Sequence, residues 1–196
     1  KEMFVYGASE VGVVTVIDFS NGPENAEQID FVLQFENTLT DVEVCGKFLF
    51  VASKDDPNNG TVSIYSTAQR VEGTGDLLYP QLIAEVMVGA GPDMIFPNPT
   101  CDILGVANEG EGDYDEFLVD PVGSVTLIKG PFDGPLEVVH VPLNHWTDEE
   151  LIAKGVHLPL PLNAMEYWDD YSSIADDIDF AAARANYEPA SQLEPE

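Results

Sequence analysis

Residues 105–115 read Gly105-Val106-Ala107-Asn108-Glu109-Gly110-Glu111-Gly112-Asp113-Tyr114-Asp115, and residues 120–128 read Asp120-Pro121-Val122-Gly123-Ser124-Val125-Thr126-Leu127-Ile128. Two short runs of strand-forming residues enclose a loop crowded with carboxylates. Glycines and acids make a poor core, so the segment between the runs reads as a connection. The second run has two earlier counterparts, Gly12-Val13-Val14-Thr15-Val16-Ile17 and Gly60-Thr61-Val62-Ser63-Ile64-Tyr65. Their common form is Gly, a small or β-branched residue, Val, Thr or Ser, then two apolar residues. A companion strand, Phe48–Ser53 or Ile103–Asn108, precedes the second and third copies across a polar loop. The copies lie roughly 50–60 residues apart, the period of propeller blades with long loops. A four-stranded antiparallel blade cannot bury both faces alone, and radial stacking solves that problem. The expectation is therefore an all-β chain, a partial β-propeller with about three to four blades' worth of strands. A β-sandwich with similarly worded hairpins is the alternative.

Outward from these copies, the other expected strands are Phe4–Tyr6, Ile29–Phe35, one long run Val42–Ser53, Leu82–Val88 and Leu136–Val141. Gly, Pro, Asn and Asp punctuate the gaps. The last quarter changes character. Thr147-Asp148-Glu149-Glu150 is a capping box, and Gly155 stops the short helix that follows. Leu158-Pro159-Leu160-Pro161-Leu162 reads as extended, and Phe180–Ala185 as a second helical run. Residues 1–145 are expected to form blades. Residues 146–196 are expected to form a helix-containing insertion leading to a further blade strand beyond the sequence.

Composition narrows the function. Seven Lys and Arg face 36 Asp and Glu, a formal charge of -29. Such a surface repels nucleic-acid phosphates and anionic lipid and attracts cations, basic partners and metal-rich mineral. A halophilic or marine solvent-adapted surface would have the same composition. No apolar run approaches the roughly 20 residues of a membrane span. The chain opens at Lys1 directly into a strand-like run, so the numbering is expected to begin after processing, with any anchor outside the sequence. Cys45 and Cys101 are the two cysteines. One bridge and two buried thiols are both open, with a buried thiol the default for Cys45 on its strand. Asn59-Gly60-Thr61 is a glycosylation sequon at an expected turn, whereas proline excludes Asn98-Pro99-Thr100.

Several phrases together resemble the choice-of-anchor I domain, the family of the mesenchyme-specific cell surface glycoprotein, whose bacterial members are often labelled alkaline phosphatase-like. They are Gly89-Ala90-Gly91-Pro92-Asp93-Met94, Val106-Ala107-Asn108-Glu109-Gly110-Glu111, Asp113-Tyr114, Asp120-Pro121-Val122-Gly123-Ser124-Val125 and the final Ala190–Glu196. The likeness is strongest from Gly89 to Val125 and at the C-terminus, and loose over the first 80 residues. It implies a propeller-like, secreted or surface-anchored protein whose whole domain is longer than 196 residues. A second chain or the rest of the same propeller would complete the ring. Where the family commonly has a basic residue after Asn-Glu-Gly-Glu, this chain has Gly112 and Asp113, which speaks against a phosphate-binding role for the loop.

The chemistry expected of that loop is cation binding. Glu109, Glu111, Asp113, Asp115, Glu116 and Asp120 offer hard oxygen ligands of the kind calcium takes, about 6–8 at flexible angles. Glu109, Glu111 and Asp113 are the preferred ligands, with Asp115 and Asp120 beside them. The spacing is not that of an EF-hand, and a solvated acidic loop is the plain alternative. Asp55-Asp56-Pro57-Asn58-Asn59-Gly60 occupies the equivalent place in the earlier repeat and reads first as an Asn-Gly hairpin turn. Asp169, Asp170, Asp176, Asp177 and Asp179, near Trp168 and Tyr171, form another acidic cluster and read first as helix-capping groups. Catalytic signals are poor. His140, His145 and His157 lack metal-ligand spacing, and no nucleophile elbow, P-loop or dinucleotide fingerprint occurs. Lys47, Lys54, Arg70, Lys129, Lys154 and Arg184 do not cluster as phosphoryl transfer wants. The leading expectation is an extracellular calcium-binding structural or binding protein associated with matrix, filament or mineral. A metal-dependent phosphoesterase is the rival.

Overall fold

The run Phe48-Leu49-Phe50-Val51-Ala52 is buried at every position. Side chains alternate across a strand, so a strand without an exposed side has protein on both faces. The structure, a computed structural model describing residues 3–110 and 121–155, shows why. Its strands are β1 (Phe4–Ser9), β2 (Val13–Asp18), β3 (Glu27–Gln34), β4 (Thr38–Cys45), β5 (Phe48–Asp55), β6 (Asn58–Ser66), β7 (Gln69–Arg70), β8 (Leu77–Leu78), β9 (Leu82–Ala90), β10 (Pro92–Pro97), β11 (Ile103–Asn108), β12 (Ser124–Lys129) and β13 (Glu137–Pro142), with one helix, α1 (Asp148–Ala153). They form open antiparallel sheets in the orders β1-β2-β3, β4-β5-β6-β9 and β10-β11-β12-β13, plus the small hairpin β7-β8. These are called here the first, second and third sheets.

The second sheet lies between the other two. Val14 and Leu33 of the first sheet pack on Leu39, Leu49 and Val51 of the second. From its other face Phe50, Ala52, Val62, Ile64, Val86 and Val88 pack on Ile95, Leu104, Val106 and Ile128 of the third. Phe132 closes that layer, with its ring centroid 4.9 Å from Phe50 and 5.4 Å from Phe48 in edge-on geometry. Each Val, Leu, Ile or Phe among them contributes about 1.5–3 kcal/mol by leaving water.

Covalent and polar ties reinforce both seams. Cys45, at the end of β4, is bridged to Cys101 in the turn before β11, with Cα atoms 5.6 Å apart. Of the bridge and the two buried thiols that the sequence leaves open, the structure has the bridge, because the inter-sheet seam brings the two residues together. The bridge closes a 56-residue separation, for which restriction of the unfolded chain is worth about 4 kcal/mol. At the other seam Arg70 reaches back to buried Asp18, Nη2 to Oδ2 2.5 Å. The Tyr6 hydroxyl accepts a hydrogen bond from Ala68 N at 2.7 Å. Hydrogen bonding from Ser20, and then from Arg70, holds the Asp18 carboxyl below its ordinary pKa against the opposing effect of burial.

The repeat has a structural cause. Its three copies are β2, β6 and β12, each paired with its companion, β1, β5 or β11. In the first two copies the opening glycine lies where the link to the next sheet passes. A Cβ on Gly12 would sit 2.4 Å from the Phe35 carbonyl oxygen, and one on Gly60 2.4 Å from the Pro92 ring. Phe35 N donates to Gly12 O at 2.8 Å and Leu143 N to Gly123 O at 2.9 Å, so the chain leaves β3 and β13 in the same way. After β3 it crosses into β4, whereas after β13 it enters α1. The capping box forms there, with Thr147 N donating to Glu150 Oε2 at 3.0 Å and Glu150 N to Thr147 Oγ1 at 3.3 Å. Gly155 takes φ 84° beyond the helix end, and Leu151 is buried.

Three sequence expectations are corrected. Val42–Ser53 is not one strand but β4 and β5, turned at Gly46-Lys47. The turn between β5 and β6 is Asp56-Pro57, with a cis peptide, so Asn59 and Gly60 lie within β6. The strand β10 was not expected, because prolines bound it; they are tolerated at its two ends on the sheet edge. The extended Leu158–Leu162, the helical run Phe180–Ala185 and the closing Ala190–Glu196 lie outside the described residues.

Gly60→Ala is expected to cost at least about 2 kcal/mol in urea unfolding, since its methyl meets a proline ring and the Ser53 carbonyl with nowhere to move. An unchanged midpoint would show that the link can shift aside.

Candidate functional site: the joint beneath the acidic loop

The loop singled out in the sequence grows from a joint between the second and third sheets. Asn108 ends β11 and is wholly buried. Its Oδ1 accepts from Gly89 N at 3.1 Å, across the seam. Its Nδ2 lies 3.0 Å from Thr126 Oγ1, 3.1 Å from Ser124 Oγ and 3.2 Å from Ser124 O. The amide thus uses its acceptor on one sheet and its donors on the other. Thr126 Oγ1, which accepts from the amide, also lies within hydrogen-bond distance of His140 Nδ1, 3.0 Å away. Gly89 is required at the contact, since a Cβ there would sit 2.5 Å from Ser124 Oγ and 2.7 Å from Asn108 Cγ.

The next residues continue the joint. Glu109 N donates to Gly91 O at 2.8 Å and Gly110 N to Ala90 O at 3.0 Å. The phrases Gly89–Met94 and Val106–Glu111 therefore meet in one place. Gly110, at φ 68°, leaves no room for a side chain against Gly123 N and Pro121 O. So the two stems of the acidic loop, at Gly110 and at Pro121–Gly123, touch each other. Of the sequence-derived ligands, Glu109 is described and half-buried on this joint. Glu111, Asp113, Asp115, Glu116 and Asp120 lie outside the described residues. Among the described residues no group of three or more His, Cys, Asp or Glu is arranged to hold a metal ion.

The other candidates are placed as follows. Lys54 Nζ is 2.9 Å from Asp56 Oδ2, so a cationic side chain already occupies the earlier acidic turn. Asn59 is exposed on β6, opposite Ala90, and not in a turn. His145 lies against Trp146, with ring centroids 3.6 Å apart and the rings tilted by 41°. His157 and the cluster Asp169, Asp170, Asp176, Asp177 and Asp179 lie outside the described residues.

The structural role of Asn108 was not read from the sequence. A signal existed in the ends of the companion strands, Ala8-Ser9, Ala52-Ser53 and Ala107-Asn108, which occupy equivalent register positions. Ser53 Oγ donates to Thr61 O at 3.4 Å just as Asn108 donates to Ser124 O. Only the longer amide also reaches Gly89. Asn108→Ala is expected to lose about 2–3 kcal/mol, leaving buried partners unsatisfied, and Asn108→Ser to recover part of that loss. Chemical denaturation of both variants checks it; an Ala variant as stable as the parent would remove the joint from the account.

Comparison with known proteins agrees with this organisation. The profile of the choice-of-anchor I domain matches residues 1–196, so the likeness covers the first 80 residues as well. Two crystal structures share the fold, those of candidate 6-phosphogluconolactonases from Bacteroides fragilis NCTC 9343 and Bacteroides uniformis ATCC 8492. Each is 17% identical over 71% of this chain, with TM-scores of 0.50 and 0.51. At that identity the likeness is one of fold. This chain spans 36% and 37% of their lengths. A comparison with curated proteins finds no match. The protein is a member of the choice-of-anchor I domain family.

Proposed function

We propose that this chain is part of a secreted or cell-surface protein of structural or binding type, whose sheets are blades of a β-propeller and whose acidic loop holds calcium. The observation that carries the calcium reading is the pinned base of that loop. In sequence, Glu111, Asp113, Asp115, Glu116 and Asp120 fall between stems fixed by Asn108, Gly110 and Gly91, with Glu109 on the first stem. Gathering hard oxygens on a short span between fixed ends lowers the entropic cost of closing them around an ion. The charge of -29 adds a long-range attraction for cations. The Cys45–Cys101 bridge suits an oxidising, extracellular setting, and the exposed Asn59 would accept a glycan there.

On this reading residues 1–145 carry the blades and 146–196 are an insertion leading to a further strand. Divalent cations are the small partners, and a matrix, filament or mineral phase the large one. Nucleic acid is excluded by charge. Among the described residues no helix is long and apolar enough to cross a membrane. The phosphoesterase reading has less behind it. Lys47, Lys54, Arg70 and Lys129 are each engaged by a carboxylate, those of Asp133, Asp56, Asp18 and Glu137.

Calorimetric titration with calcium is expected to show saturable heat. At tenfold excess over the dissociation constant the gain in stability is about 1.4 kcal/mol, a rise of a few degrees in Tm. The double variant Glu111→Gln/Asp113→Asn should lose both. No heat and no change in Tm at millimolar calcium would overturn the proposal. Equal stabilisation by sodium chloride of matched ionic strength would favour a solvent-adapted surface without a specific site.

A further inference from the structure

The strand β13 ends the third sheet, and among the described residues nothing pairs with its far side. Leu143 N donates to Gly123 O, one step beyond the Ser124–Pro142 pair of the β12–β13 register. Antiparallel residues alternate in the edge to which they turn their N–H and C=O. Val139 and Val141 therefore bond to β12, while Val138 and His140 direct both groups to the open edge. Val138, Val139 and Val141 are 38%, 45% and 42% exposed. An open edge of this kind is a template for another strand, and proteins blunt it with bulges or charges. The last strands of the other two sheets are blunted in this way. The register of β3 slips between Thr15 and Ile17, and Glu27 opens the strand. That of β9 slips twice, and Glu85 lies within it. The six pairs of β13 run without a slip, and its one carboxylate, Glu137 at the start, faces Lys129.

We infer that residues 158–162 of this same chain, Leu158-Pro159-Leu160-Pro161-Leu162, dock on this edge as a fifth, antiparallel strand of the third sheet. Their wording suits an edge and nothing else in a sheet. Leu158, Leu160 and Leu162 turn their N–H and C=O to one side. Pro159 and Pro161 fall on the other, where they offer no donor. A strand so built pairs on one side only, so it covers an edge without creating a new one. Two of the leucines then lie opposite His140 and Val138, the residues whose backbone groups are open. The path is short. The helix α1 follows β13 after a brief link, is about 9 Å long and is anchored by buried Leu151. The chain beyond Gly155 thus sets out from the Pro142 end of β13, where an antiparallel partner has to enter. A second copy pairing edge to edge is opposed by the charge of -29. The inference uses neither calcium nor closure of a ring.

Residue-resolved amide hydrogen exchange on the full-length protein tests it. In the parent the Val138 and His140 amides are expected to exchange about a hundredfold or more slowly than those of an unstructured chain, although they turn away from β12. The double variant Leu158→Pro/Leu160→Pro removes two donors without changing charge. It should return both amides to fast exchange while Val139 and Val141, bonded to β12, stay protected. Pro161→Ala alters only the far side of the strand and should leave all four protected. Fast exchange of Val138 and His140 in the parent overturns the inference without need of any variant. Protection that survives the double variant assigns the edge to another segment, and protection that falls on dilution assigns it to a second copy. Either result overturns the inference equally.

Discussion

The burial of β5 on both faces is the constraint on which the rest of the molecule depends. Leu49 and Val51 point to the first sheet, and Phe48, Phe50 and Ala52 to the third. A single antiparallel sheet has one face to hide and one to wet, and it alternates accordingly. Phe48–Ala52 does not alternate, so it needs a sheet on either side. From that need follow the order of the layers, the disulfide across one seam and the Arg70–Asp18 pair across the other. The links between sheets then have to cross the ends of the central strands, which is why glycine opens the first two copies of the repeat.

The joint beneath the acidic loop is placed by the same geometry. Links between sheets and turns between companion and repeat strands come together at one end of the stack. Gly91 meets Glu109 there, and Asn108 meets Gly89. The acidic loop departs from that end on a base that is rigid because its polar groups are satisfied and its glycines are filled against backbone. A loop with a fixed base can vary its charged tip without disturbing the core.

Much of this was legible from the residues. The repeat named the central strands and their companions, because period-two patterning with β-branched residues is a strong signal. The capping box at Thr147–Glu150 formed as read. The phrases around Gly89 and Asn108 pointed to the family, and they prove to touch. What was hidden depended on contacts distant in sequence. Gly46 splits Val42–Ser53, yet an apolar run buried on two sides looks the same whether or not it turns back nearby. The Cys45–Cys101 bridge exists because β4 and the turn before β11 are brought together by the seam. The turn at Asp56-Pro57 displaced the expected Asn59-Gly60 turn, because Gly60 is needed within β6, under Pro92. Asn108 looked like a turn residue, since its partner Gly89 lies on another sheet.

The two neighbours Leu49 and Phe50 point to opposite faces of β5, so truncating each one reads each seam separately. Equilibrium unfolding in urea of Leu49→Ala and Phe50→Ala is the most direct test of the stacked arrangement. Both variants should lose about 2–5 kcal/mol, with losses that nearly add in the double variant. A loss within about 0.5 kcal/mol of zero for either one, the behaviour of a surface position, would mean that one face of β5 is open to water and that the stack is wrong.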